Sequence, residues 1–222
     1  MPNQLPSLET TNRKLITYTL LIICSTISIT GCGLARALTV QAAPTTERVP
    51  PEYNRLPGKR ALVYVWAPPE TRFDYPKMCL DLSAYVSAYL KQHVEDIDIV
   101  NPIRIEDYNE KKGAFETDPV ELGRHFRTDM VIHLSIYHFS MRDPGYAQFY
   151  RGRISSSVAV YELTGNEESA EHVPLQDVVV SVPEKNPVGF HNVDPAQIRQ
   201  ATYDTFAVEV GKKFHEYERP LD

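Results

Sequence analysis

The sequence predicts an α/β fold: a single mixed-sheet domain in the order β-α-β-α-β-β-β-α, with helices packed on the sheet. Three observations carry that expectation. Apolar runs of strand length, continuous or alternating, recur along the chain. Between and after them, apolar residues fall at helical spacing, and two of these stretches open on Asp-Pro. The composition, 42% hydrophobic and 23% charged over 222 residues, is that of a folded chain, and no repeat of solenoid length interrupts it.

The elements follow in order. "RALVYVWAP" is a continuous apolar run closed by Pro68-Pro69, which predicts a buried strand starting near Lys59. Met78, Leu82, Val86, Tyr89 and Leu90 repeat at helical spacing, predicting a helix over 75–93 with Asp74 at its start. "DIDIV" is a short strand stopped by Asn101-Pro102, and residues 101–117 read as polar and irregular. Asp118-Pro119-Val120-Glu121 opens a short helix to about Arg127, with Asp as cap, Pro in the first turn and Glu placed to reach back as a capping box.

Residues 130–141 start apolar on both faces and predict a central strand. Asp143-Pro144-Gly145 is a turn signal. Over 148–163, Tyr150, Ile154, Val158 and Val160 alternate with Arg151, Arg153, Ser155 and Ser157, a strand with one wet face. Thr164-Gly165-Asn166 turns the chain and "LQDVVVSV" returns as a third strand. Asp194-Pro195 starts a last helix, expected to run to about Tyr217 with Ile198, Ala201, Thr205, Phe206, Val210 and Phe214 down one side.

The N-terminus has the order of a secretory signal. Arg13 and Lys14 precede an uncharged apolar stretch, 15–29, too short for a bilayer-spanning helix, which needs ~20 apolar residues. Ile29-Thr30-Gly31-Cys32 follows, an aliphatic, hydroxylated, Gly, Cys series that resembles a bacterial lipobox. That resemblance implies a diacylglyceryl group on the Cys32 thiol, cleavage before it, and an acylated mature N-terminus of the palmitate type. Two other readings stay open: cleavage after Ala35-Arg36-Ala37, releasing a soluble chain, or an uncut anchor. On the lipobox reading, 1–31 is the signal peptide, 32–58 a lipidated Cys and Pro-rich flexible tether, and 59–222 the globular domain. Gly33, where Asp favours inner-membrane retention in the lipoprotein sorting pattern, leans toward the outer membrane. Cleavage would leave Cys32 and Cys79, so an acylated Cys32 leaves no pair for a disulfide.

Two further stretches carry a family resemblance. "VELGRHFRTDMVIHLSI" (120–136) and "SSVAVYELTGNEES" (156–169) resemble a superfamily of envelope lipoprotein domains. It includes the curli-secretion lipoprotein, the penicillin-binding-protein activator lipoproteins and the amino-terminal domain of TolB. The resemblance departs at His125-Phe126 and His133-Leu134, where the family often has glycine, and the long hairpins of the pore-forming member are not evident. It implies a non-catalytic adaptor or assembly factor and carries over no catalytic residue.

Direct signs of chemistry are few. There is no Gly-x-Ser-x-Gly, phosphate loop, Cys-x-x-Cys or His-Glu-x-x-His, so no cofactor or metal site is expected. His133 and His138 are an odd number of residues apart, so one face of a strand collects both only with a bulge. Cys79 reads as a small semi-buried residue, and the carboxylates of 106–118 as a solvated loop. A net charge of −6 excludes a general nucleic-acid binder. The stretch 137–153 gathers aromatics and arginines, the residue types enriched at protein interfaces. Tyr146, Phe149, Tyr150, Arg151 and Arg153 are its candidate partner contacts, against a bland reading as sheet pairs and solvated charges. The expected function is therefore a lipid-anchored periplasmic adaptor that binds an envelope protein, against an envelope hydrolase or a self-assembling homo-oligomer.

Overall fold

Residues 60–66, apolar on both faces, form the strand around which the sheet is built. In the computed structural model, which describes residues 46–113, 117–143, 145, 149–163, 170–189 and 194–221, this strand is β2 (Arg60–Trp66), with five consecutive buried residues. It follows β1 (Thr46–Val49) and lies parallel to both its neighbours, β3 (Asp98–Ile99) and β4 (Met130–Arg142). From β4 the sheet continues antiparallel through β5 (Phe149–Leu163) to β6 (Ala170–Val182), and β7 (Val188–Gly189) also pairs with β5. The order is β3-β2-β4-β5-β6, the mixed α/β sheet that the sequence predicts.

Helices cover both faces. After β2 come α1 (Pro69–Asp74) and α2 (Met78–His93), where the sequence reading has one helix from 75. Next are α3 (Pro102–Lys112), α4 (Pro119–Phe126) and, near the end of the chain, α5 (Pro195–Gly211). Leu82, Val86 and Leu90 of α2 and Phe206 and Val210 of α5 bury against Val63, Ile132, Leu134 and Ile154 on one sheet face. On the other face, Ile105 of α3 and Leu122 and Phe126 of α4 pack on Leu62, Tyr64 and Val131.

The stretch 101–117 is therefore not irregular. Asn101 accepts the Ile103 amide proton at 3.0 Å, Pro102 fills the first turn, and Gly113 ends α3 at φ 64°, a left-handed cap that suits glycine. Asp118 and Asp194 repeat the device, accepting from the amides of Val120 and Ala196. Glu121, expected to close a capping box, instead accepts from Lys112 Nζ and from the Tyr108 hydroxyl of α3. The last helix stops at Gly211, short of Tyr217, where β8 (Tyr217–Pro220) begins and pairs with β1.

Two compact units make up the chain. Arg48–Glu218 carries the sheet and all five described helices. The described residues of the other are 46–47 and 219–221, in which Arg219 forms an ion pair with Glu47 at 2.9 Å. Within the larger unit the packed domain starts before Lys59. Tyr53 and Leu56, in the stretch expected to be tether, are buried in the main core.

Candidate functional site

The end of the β4–β5 hairpin is shaped by irregular strand pairing. Between Ser140/Arg153 and Arg142/Tyr150 the register slips, with one extra residue on β5. Gly152 sits in that slip because α5 comes close: a Cβ there would lie 1.9 Å from Thr202 Oγ1. The two arginines flanking Gly152 point to the opposite side of the sheet from α5, as alternation requires.

Each of these arginines has a defined partner. Arg151 Nε donates to Ser181 Oγ at 2.9 Å, and its Nη2 donates to the Glu184 carbonyl, tying the chain after β6 to β5. Arg153 lies 3.6 Å from the Asp143 carboxylate, on the turn that leaves β4. Phe149 and Tyr150 pair through the backbone with Gly189 and Val188 of β7, and all four are half-buried. Of the predicted contacts, then, Phe149, Tyr150, Arg151 and Arg153 are brought together, the two arginines holding the sheet end through their side chains and Phe149 and Tyr150 through their backbone pairing. Tyr146 and Cys32, the residue expected to be lipidated, lie outside the described residues.

A second bulge lies in β4. Ile136 pairs with Ser156 and His138 with Ser155, so Tyr137 is the extra residue. Its hydroxyl reaches Asp177 of β6 at 3.3 Å. The bulge reverses the alternation, so Phe139 joins Ile136 in the main core. It also puts His138 on the side of His133, the condition that the sequence spacing sets for collecting both. His138 is exposed, and among the described residues no group of three or more His, Cys, Asp or Glu is placed to hold a metal.

His133 stacks on Tyr64, 5.3 Å between ring centres and 14° from parallel. Burial, with a smaller contribution from the charge of His172, pushes its imidazole down to about 4. Cys79 is buried against the main core, and burial pushes its thiol up to about 11, far from a reactive nucleophile.

A strap that the sequence reading missed runs over residues 52–56. Glu52 accepts from Lys213 Nζ at 2.9 Å and from the Gln176 amide at 2.6 Å, inside the bulge of β6. The Tyr53 hydroxyl donates to Glu162 at 2.6 Å, and its amide donates to the Lys213 carbonyl at 2.8 Å. Burial and the Glu162 carboxylate both raise the Tyr53 phenol above its ordinary range. Arg55 reaches Glu162 at 2.6 Å and Glu171 at 3.4 Å. The legible signal was modest: two large apolar residues, Tyr53 and Leu56, three apart among prolines.

No protein-family model matches the chain, and no curated protein does. Among solved structures, a PelC dodecamer from Paraburkholderia phytofirmans is similar with a TM-score of 0.44 and 9% identity, over 77% of this chain and 97% of that one. The lipoprotein GNA1162 from Neisseria meningitidis is similar with a TM-score of 0.41 and 11% identity, over 68% of this chain and 97% of that one. The hypothetical protein CT253 from Chlamydia trachomatis has a TM-score of 0.39 at 11% identity, over 70% of this chain and 96% of that one.

Proposed function

We propose that this chain is a lipid-anchored adaptor of a bacterial envelope, acylated on Cys32, facing the periplasm and binding an envelope protein complex. The observation that carries the reading is the charge–apolar–Ile29-Thr30-Gly31-Cys32 series, an N-terminal order with the chemistry of a lipid attachment site. The strap supports it. Glu52 and Tyr53 fasten the incoming chain to the domain, so an anchor upstream would hold the whole domain near a membrane. Anchoring raises the local concentration of the domain toward a membrane partner without any new contact. Stable attachment takes more than one acyl chain, since a single chain binds only marginally. Outer-membrane placement is part of the same proposal and rests on Gly33.

The test joins two readouts on tagged full-length protein. Metabolic labelling with a palmitate analogue is expected in the wild type and absent in Cys32→Ala. Cross-linking in membranes, followed by recovery of the tag, is expected to yield one dominant envelope protein, reduced in Cys32→Ala. Label that persists in Cys32→Ala would overturn the anchor, and recovery of bait alone would overturn the adaptor.

A further inference from the structure

We propose that a recess around Phe73 is the docking surface for the β4–β5 hairpin end of a second copy of this chain, in a reciprocal two-fold contact. Phe73, on the short helix α1, is 85% exposed, more than any other large apolar side chain among the described residues. It stands at a recess of about 700 Å³ between α1 and α3, with Pro69 and Pro76 supplying further apolar surface. Such a ring costs solvation while it stays in water, and covering it favours association.

The charge around the recess specifies the occupant. Glu70, Asp74, Glu106 and Glu110 line it, with Arg72 as the cation among them. Burial holds the Glu106 carboxyl above its usual range, Arg72 opposes that, and Glu110 and Asp107 add to it. A recess of this composition favours an incoming side chain that is positive and has apolar surface beside it.

The same chain presents that chemistry. Arg142, at the end of β4, is exposed, and Arg151 is held by two neutral acceptors, Ser181 Oγ and the Glu184 carbonyl. Neutral partners fix the Arg151 guanidinium without cancelling its charge. Among the described residues no carboxylate lies within ion-pair reach of Arg142 or Arg151, whereas Arg153 is neutralised by Asp143. Phe149 and Tyr150, half-buried beside them, add aromatic surface.

Topology puts the two patches at one end of the sheet. β2 and β4 are parallel, so α1, which follows β2, and the hairpin turn, which follows β4, leave from the same end. The Tyr75 ring just after α1 meets Phe139 of β4 edge-on at 4.7 Å. Two complementary patches side by side satisfy each other twice when a second copy approaches about a two-fold axis: recess to hairpin, and hairpin to recess.

The experiment is sedimentation of the full chain in a non-ionic detergent, across a concentration series at low and high salt. A two-copy particle that weakens with salt is expected. Phe73→Ser is expected to raise the dissociation constant at least tenfold while leaving the circular dichroism unchanged, because that ring supports nothing inside the fold. Glu110→Lys and Arg142→Glu, both at exposed positions, should each weaken association, and their combination should restore it. A single-copy particle at every concentration would overturn the proposal. So would a larger ring, a pair insensitive to Phe73→Ser, or a combined variant as weak as the single ones.

Discussion

Lys213, just past the end of α5, places its ammonium 2.9 Å from the Glu52 carboxylate with only 9% of its side chain exposed, whereas Glu52 is 31% exposed. The asymmetry sets the order of two variants. Glu52→Ala leaves a nearly buried charge with its carboxylate partner removed and also frees the Gln176 backbone amide, at an expected cost of about 1–3 kcal/mol. Lys213→Met removes the charge and leaves a carboxylate that water can reach, and is expected to cost less. Urea unfolding of the two variants decides it, and equal or reversed losses would show that the pair does not hold the strap.

The burial of His133, whose ring stacks on Tyr64, makes stability depend on acidity. Unfolded imidazole titrates near about 6.5, whereas the folded ring is pushed down to about 4. Between those values the unfolded chain binds a proton that the folded chain refuses. This contribution is therefore fully present above about pH 6.5, declines as pH falls toward 4, and changes no further below that. The expected loss is ~2–3 kcal/mol, less than the full linkage value because the ring keeps some contact with solvent. His133→Phe preserves the stack and should flatten the urea midpoint between pH 7 and pH 5 relative to wild type. An unchanged slope would assign the acid sensitivity to other groups.

At Gly152 the side chain of Thr202 on α5 comes close against the backbone of β5. A methyl there meets Thr202, whose hydroxyl is already committed to the Ile198 carbonyl at 2.6 Å and whose residue is fully buried. Gly152→Ala is expected to destabilise by about 1–3 kcal/mol through overpacking. Combined with Thr202→Ala, which removes two of the three clashing atoms, the loss should fall short of the sum of the single losses. Strict additivity in thermal unfolding would mean that the strand moves away freely.

Cys79 supplies a control for the lipid proposal. With its thiol pushed up to about 11, roughly one molecule in ten thousand carries the thiolate at pH 7. Native protein should leave Cys79 unlabelled by iodoacetamide, and urea should expose it to full reaction. Rapid modification of Cys79 in the folded chain, located by peptide mass, would contradict its burial.

The parts of this fold legible in the sequence are those where local chemistry and tertiary packing agree. The Asp118-Pro119 and Asp194-Pro195 caps mark true helix starts, and the double-faced apolar run of β2 marks a strand between two others. α3 escaped because its packing demand is small. Ile105 is its one fully buried residue, so the polar stretch shows little periodicity, although Asn101-Pro102 carried the same cap signal as the other two. The strap escaped for a different reason. Tyr53 and Leu56 are buried without belonging to a regular element, and periodicity is silent about such segments. At the candidate site, strand alternation placed Arg151 and Arg153 on one face. Their partners Ser181, the Glu184 carbonyl and Asp143 come from other segments, which only the folded register brings near. The exposure of Phe73 was equally hidden, since one aromatic in a short helix looks the same in sequence whether it faces core or water.

The strap also sets the load path through the molecule. Traction applied from the N-terminal side meets Glu52 and Tyr53 before it meets β2, and those residues are fastened to the turn after α5, to β5 and to β6. The pull is thus divided among three separate segments before it reaches the central strand and its two parallel neighbours. Were the chain anchored upstream as proposed, tension on it would reach the strap before the sheet that shapes the domain's surfaces.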